Sequence, residues 1–275
     1  MPTTVEPVKA AKFDGLGELV GVGRTSNVYA YGEASVVKVP HEDVPTDWPL
    51  FEAQLARGVH EAGLPVPEVH DVIEDDGRFM VVFERVDGPS MWQAMLDEPT
   101  AADRLIVDLV AIQRALFEAS VPANIPDFVD RLARRITVVD SFTAIERTEA
   151  VGLAASLPRG VALLHGDLHP GNILMGPRGP IVIDWFDVAI GHPIADIVRT
   201  SILLRPGMHL PAASPDFLAQ LRATYVHAFS AELEHAASEL HDWQAAVAVG
   251  RIAEEAEDDE KLLVRLWQGR SASAR

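Results

Sequence analysis

The chain has 275 residues, 48% of them hydrophobic and 23% charged, which reads as globular, not disordered, and suits one large domain or two lobes sharing a cleft. With 41 acidic against 23 basic residues the formal net charge is −18, a field that repels phosphate backbones, so no nucleic-acid partner is expected. Cysteine is absent, which excludes disulfides and thiolate metal sites and agrees with a reducing cytoplasmic setting.

Taken in chain order, the first third is strand-rich. Residues 19–20, 28–31 and 36–39 are short β-prone runs separated by glycine turns. A helical pattern over 50–62 follows, with Phe51, Leu55 and Val59 spaced four apart, and Gly63, Pro65 and Pro67 end it. Strands are expected over 68–73 and 79–86, joined by the turn signal Asp75, Asp76, Gly77. Asp87, Gly88 and Pro89 break the pattern, so the division falls into a β-rich unit, 1–86, and a mainly helical unit, 87–275. Helices are predicted over 101–119, 126–145, 148–157, 215–238 and 242–267, with another near Asp196. One β island, 173–175 and 181–183, interrupts them, and the closing SASAR is expected to fray. Strands followed by helices make this an α+β protein of two lobes. No apolar stretch approaches the roughly 18–20 residues of a membrane span. The opening MPTTVEPVKAAKF has no basic region ahead of an apolar run, so neither a membrane partner nor a secretory signal is expected.

The densest chemical signal is HGDLHPGN over 165–172, followed by IDW over 183–185. The β island reads as an antiparallel hairpin with a Gly/Pro connection, which sets the residue before its first strand beside the residue after its second. Asn172 and Asp184 therefore converge at one open end, and the Gly/Pro loop carries Asp167 there. Two carboxylates and an amide oxygen without thiol or imidazole clusters form a hard-oxygen site suited to Mg²⁺, with nucleotide phosphates as remaining ligands. The D-x-x-x-x-N spacing matches a kinase catalytic loop. Residue by residue, the same types also serve as turn and capping groups; the constellation as a whole points to phosphoryl transfer.

Gly21, Gly23 and Ser26 lie between two strand-like runs, and their amides suit a hairpin that covers phosphates; no helix opens there, as a Rossmann fingerprint requires. Strand alternation puts Lys38 on the face opposite Val37 and Val39. It follows the glycine hairpin by one strand and precedes a helix carrying Glu52, the order of a phosphate-binding lysine and its orienting glutamate.

On these residues the sequence resembles the aminoglycoside phosphotransferase and choline-kinase-like enzymes, which share a bilobal protein-kinase-like fold. The resemblance implies an ATP- and Mg²⁺-dependent enzyme that phosphorylates a hydroxyl of a small molecule. It implies that Asp167 is the catalytic base or hydroxyl-orienting group, that Asn172 and Asp184 bind Mg²⁺, and that Lys38 holds the α- and β-phosphates with Glu52 bracing it. Phe83, Glu84 and Val86 fall on the hinge, where the Glu84 carbonyl and Val86 amide would contact adenine. It implies structural roles for His165 and for Asp196, which would brace the loop. The chain departs from the family's relatives among protein kinases in two places: Ser26 stands at the third glycine of the phosphate loop and Trp185 at the Phe of D-F-G.

The acceptor is open in the sequence. Acidity and the resemblance favour a cationic aminoglycoside-type antibiotic or amino sugar, with the acidic run 254–260 on a helix as one place to bind it; a solvated helix face is the plain alternative. Choline, thiamine, homoserine, macrolides and sugars are other acceptors of the resembling enzymes. A protein kinase is disfavoured because little chain separates Asp184 from Asp196, and a pseudokinase because Lys38, Asp167 and Asp184 are all retained. The chain is expected to work as a monomer or homodimer.

Overall fold

The computed structural model describes residues 15–23, 25–121, 124–206, 213–254 and 260–273. Its first part is a five-stranded antiparallel sheet in the order β1-β2-β3-β5-β4, made of β1 (Leu19–Val22), β2 (Ser26–Tyr31), β3 (Ser35–Pro40), β4 (Val69–Asp75) and β5 (Arg78–Glu84). Helix α1 (Trp48–Glu61) lies between β3 and β4 in sequence. Strand alternation sorts β3 into two faces. Val37 and Val39 bury against Met80 and Val82 on one, whereas Lys38, opposite Val81, looks to the other, where Ala53 and Ala56 of α1 pack. Leu55 and Val59, on another side of α1, join the main core instead, so the helix is buried on two sides. The predicted Asp75–Gly77 turn is present, with Asp76 at φ 48° and Gly77 at φ 75°, the left-handed pair that tight hairpins require.

After β5 the chain crosses to a helical part. Pro89 O accepts from Met175 N at 2.8 Å, and Ser90 bridges to Leu174, which ties the crossing to the second part's hairpin. Ser90 then caps α2 (Met91–Asp97) by accepting from Gln93 N, a short helix that the sequence reading did not anticipate. The elements that follow are α3 (Ala102–Glu118), α4 (Phe128–Ile136), α5 (Ala144–Ser156), β6 (Ala162–Leu164), β7 (Ile173–Gly176), β8 (Gly179–Val182), β9 (Ala189–Gly191), α6 (Pro193–Leu203), α7 (Pro215–Ala228), α8 (Ser230–His235), α9 (Leu240–Ile252) and α10 (Glu260–Ser273). Helix α6 is central: every residue from Ile194 to Leu203 is buried, against β6 and α9 among others. Tyr225, Phe229 and Trp243 are fully enclosed in the same core.

Several expected elements divide. The helix expected over 126–145 ends at Ile136, where the β-branched Thr137, Val138 and Val139 follow, and α5 restarts at Ala144 behind a capping box. Thr143 Oγ1 accepts from Glu146 N, and Glu146 Oε2 accepts from Thr143 N at 2.8 Å. The helix expected over 215–238 bends at Phe229, whose ring is drawn inward against Tyr225 and Phe117. That expected over 242–267 ends at Ile252, with Ala253 and Glu254 in a turn, and resumes at Glu260. Residues 255–259 of the acidic run lie outside the described residues. Of the closing SASAR, residues 271–273 continue α10 and 274–275 lie outside the described residues, and β5 stops at Glu84, two residues early. The single β island becomes two ladders, β7–β8 as expected and β6–β9 in addition.

Candidate active site

The β7–β8 register sets Ile173 opposite Val182, so the residues just outside, Asn172 and Ile183, meet at the open end, and Ile183 N donates to Asn172 O at 2.9 Å. Asp184 follows at φ 64°, ψ 62°, a left-handed backbone that turns its carboxylate away from the ladder direction. Lys38 on β3 lies across the cleft from it. Its Nζ is 2.5 Å from Glu52 Oε1 and 3.0 Å from Asp184 Oδ1. Lys38 shares its sheet face with Val81 and α1 packs on that face, which is why Glu52 reaches it. Burial pulls the Lys38 ammonium down, but the Asp184 and Glu52 carboxylates outweigh it and hold it well above the usual lysine range. The same lysine, acting against burial, holds the Asp184 carboxyl below its ordinary value.

The loop between β6 and β7, which carries Asp167, is held from beneath. Asp196, fully buried near the start of α6, accepts from Gly166 N at 2.9 Å, from His165 N at 3.3 Å and from Gln113 Nε2 at 3.1 Å. His165 Nδ1 accepts from Asp167 N at 3.2 Å; its ring proton is therefore on Nε2 and is donated to Ile183 O at 3.0 Å. One neutral imidazole thus links the loop to the residue before Asp184. Gly166 has φ 80°, and a Cβ there would lie 2.1 Å from Asp187 O, so only glycine lets the loop pass. Asn172 Nδ2 donates to Asp167 O at 3.0 Å, which orients the amide and leaves its oxygen for another partner.

Asp167 Oδ1 accepts from Arg199 Nη2 at 2.8 Å, and Arg251 Nη1 is 3.9 Å from the same oxygen. Oδ2 has His169 Nε2 at 4.0 Å. Burial alone would raise the Asp167 carboxyl, yet Arg199, then His169 and Arg251, hold it far below the carboxylate range. Burial drives the His169 imidazole down to about 4, so the ring is neutral at pH 7.

The expected glycine hairpin is present: Gly21 pairs with Val28, Val22 with Asn27, and Gly23 N donates to Ser26 O at 2.8 Å. Ser26, Lys38, Glu52, Trp48 and Phe186 line one recess beneath it. At the hinge, Phe83 lies two positions along β5 from Val81, on the Lys38 face of the sheet. Glu84 N is taken by Glu68 O and Arg85 N by Ala34 O, and the Glu84 carboxylate is paired with Arg178. Val86 Cγ1 packs toward Gly176 on β7.

Sequence reading missed one part of this surrounding. Arg131 and Arg135 of α4, Arg199, Arg251, Asp187 and Glu254 form a buried ion-pair network that touches Asp167. The readable signal was a lone arginine inside each of two apolar helices, ADIVRTSIL and AAVAVGRI. Glu254, expected on a solvent or acceptor-facing helix, is instead 8% exposed and held by Arg199 at 2.8 Å and Arg251 at 2.6 Å.

The donor chemistry fits Mg²⁺. Asn172 Oδ1 and the Asp184 carboxylate, 44% exposed, are hard oxygens at one open end, and Mg²⁺ takes few protein ligands when phosphates and water complete its shell. No group of three or more His, Cys, Asp or Glu capable of a protein-only metal cage occurs among the described residues. No helix among them is long and apolar enough to cross a membrane.

Residues 18–241 match the family described as the phosphotransferase enzyme family. No match was found among curated proteins. Solved structures of the same fold include a thermostable mutant of aminoglycoside phosphotransferase APH(4)-Ia, with TM-score 0.67 and 18% identity over 96% of this chain and 97% of that one. A choline/ethanolamine kinase family protein from Mesorhizobium loti superposes with TM-score 0.60 and 18% identity over 96% of this chain and 88% of the other. A ternary complex of an APH(4)-Ia mutant with ADP and hygromycin B gives TM-score 0.65 and 15% identity over 93% and 92% of the two chains. The α+β, kinase-like fold expected from the sequence is thus the one observed.

Proposed function

The chain belongs to the phosphotransferase enzyme family, and from that premise we propose an ATP- and Mg²⁺-dependent kinase that phosphorylates a hydroxyl of a small molecule. The observation that carries this reading is the meeting of Lys38, Glu52 and Asp184, with Asn172 and Asp167 on the same loop-and-hairpin end.

In this reading residues 1–86 bind the nucleotide and 87–275 supply catalysis and the acceptor site. Lys38, kept protonated by Glu52, binds the α- and β-phosphates under the Gly21, Gly23 and Ser26 hairpin. Phe83, the Glu84 carbonyl and the Val86 amide receive adenine, an assignment supported by their place at the end of β5. Asn172 and Asp184 would hold Mg²⁺, which when bound neutralises charge on the phosphate oxygens. Arg199 fixes Asp167 Oδ1, which leaves Oδ2 to accept a hydrogen bond from the acceptor hydroxyl. That hydroxyl oxygen attacks the γ-phosphorus in line while ADP leaves, and its proton passes to Asp167. A carboxylate held so far below its ordinary pKa is a weak base. Its main contribution is orientation, as a loose phosphoryl-transfer transition state requires.

An aminoglycoside-type or amino-sugar acceptor is supported by the net charge of −18 and by the hygromycin B bound in a structural relative. The carboxylates nearest Asp167 add nothing to it, because Asp187 and Glu254 are already engaged by arginines. Choline, thiamine, homoserine, macrolides and sugars remain acceptor alternatives. Pseudokinase and protein-kinase readings are weaker: Lys38, Asp167 and Asp184 are kept, and the chain from Asp184 to α6 is filled by a turn at Trp185–Asp187 and by β9. Mg²⁺-dependent thermal stabilisation by ATP, with a coupled ADP-release screen over these acceptors, tests the proposal. A chain that no nucleotide stabilises would remove it.

A further inference from the structure

Arg199 and Arg251 approach the Asp167 carboxylate, and Arg131 and Arg135 of a third helix join them through Asp187 and Glu254. Arg131 and Arg135 stand four positions apart on one face of α4, Arg199 lies in α6 and Arg251 near the end of α9. The acids among them are Asp167, Asp187 and Glu254, so four guanidinium groups meet three carboxylates among the described residues. Within a chain of 41 acidic and 23 basic residues, this cluster taken by itself therefore carries one more cation than anion.

Internal ion pairing does not use this charge up. The Arg251 side chain is 3% exposed; its Nη1 reaches Glu254, while Nε and Nη2 have no hydrogen-bond partner. Arg199 Nε is likewise buried without an acceptor, and Arg131 Nη1, though ion-paired with Asp187, makes no hydrogen bond. Buried guanidinium N–H groups without acceptors are costly, and a lock serving stability alone would close its charges. The nearest acid to Arg131 is Asp187 at 4.0 Å. Burial and the adjacent Arg135, Arg134 and Arg199 pull the Arg131 guanidinium down to about 10, despite Asp187. Arg131 and Arg135 keep 15% and 24% of their side chains exposed, so the cluster opens to solvent on the α4 side.

We propose that the acceptor carries an oxyanion, a carboxylate or a phosphate monoester, near the hydroxyl that is phosphorylated, and that Arg131, Arg135 and Arg251 hold that oxyanion while Asp167 Oδ2 receives the hydroxyl. Planar guanidinium forks match such groups in a bidentate way and repel the ammonium groups of an amino sugar. The inference rests on the kinase reading above and replaces its aminoglycoside-type acceptor with an anionic one.

The test uses the full chain saturated with Mg·ADP, so that nucleotide phosphates already occupy their site. Inorganic phosphate, D-glycerate, glycerol 3-phosphate and kanamycin are titrated calorimetrically. We expect saturable binding of at least one oxyanion, weaker by about tenfold or more in Arg131→Gln and unchanged in Arg104→Gln, an exposed control on α3. Glycerate against glycerol 3-phosphate separates carboxylate from phosphate recognition. Arg135→Gln gives the same readout if Arg131→Gln does not fold. No oxyanion binding, equal binding by parent and variant, or tighter binding of kanamycin than of every oxyanion would overturn the proposal. So would a loss of Mg·ADP affinity in Arg131→Gln matching the loss for the oxyanion, which would put these arginines on the nucleotide. Failure of the parent chain to bind Mg·ADP at all is a separate result: it removes the kinase reading, and this one with it.

Discussion

Lys38 Nζ lies 3.0 Å from Asp184 Oδ1 although 146 positions separate them in sequence. The lysine comes from the middle of a sheet and the aspartate from the turn that ends a hairpin in the helical part. Their approach defines a cleft with a fixed cation on one wall and a carboxylate on the other. Each favours the charged form of the other, so Lys38 is held above and Asp184 below its ordinary range.

Asp184→Ala removes the carboxylate from that pair. We expect nucleotide affinity to lose its dependence on Mg²⁺, measured by calorimetry with and without chelator. Lys38 keeps Glu52 and stays charged, so residual metal-free binding should persist. Full Mg²⁺ dependence in the variant would contradict the assignment of Asp184.

Asp167→Asn keeps the size of the side chain and one oxygen for Arg199 but loses the proton acceptor. Turnover should fall by about two to four orders of magnitude, with Mg·ATP affinity nearly unchanged. Steady-state rates alongside direct binding measurements check this. Parent-like turnover would remove Asp167 from the chemistry.

Gly166 and Gly152 make opposite predictions for one substitution. A Cβ on Gly166 meets Asp187 O at 2.1 Å with φ at 80°, whereas Gly152 in α5 has nothing within 4 Å. Gly166→Ala should destabilise by roughly 2–4 kcal/mol and displace the Asp167 loop. Gly152→Ala should stabilise by about 0.5–1 kcal/mol without touching activity. Denaturant unfolding of both variants settles the contrast.

The buried His169 ring sets an acid limit on stability. Its folded pKa is depressed to about 4 from the model-peptide value of 6.5, so between those values the unfolded chain binds a proton that the folded chain refuses. Stability from this group is complete above about pH 6.5 and is lost as pH falls toward 4. Glu254, with burial outweighed by Arg199, is lowered to about 2 and adds a loss of the same sign below about pH 4.5. His169→Asn keeps an acceptor for Gly171 N and removes the titration. Urea unfolding at pH 7, 5 and 4 should show a shallower decline for the variant; parallel declines would sink this account.

Local chemistry wrote much of the site into the sequence. Hairpin geometry predicts Asn172 beside Asp184; the observed register pairs Ile173 with Val182, so Ile183 meets Asn172 and Asp184 follows one residue further on, because β8 ends a residue early. Alternation on β3 likewise puts Lys38 opposite the buried valines, on the face that α1 covers with Glu52. Helix continuity was less legible. Periodicity runs on through 137–143, yet the chain breaks there, and the Thr143–Glu146 capping box was the signal to weigh.

By itself, then, the sequence determined the fold class and the order along the chain of the residues proposed for phosphoryl transfer, since short-range geometry and residue chemistry suffice for each. Only the tertiary structure decided what surrounds Asp167. Arg131, Arg199, Arg251 and Glu254 sit in separate helices, and their charges matter only because packing excludes water between them and removes the screening that would otherwise let each be read as a solvated surface residue.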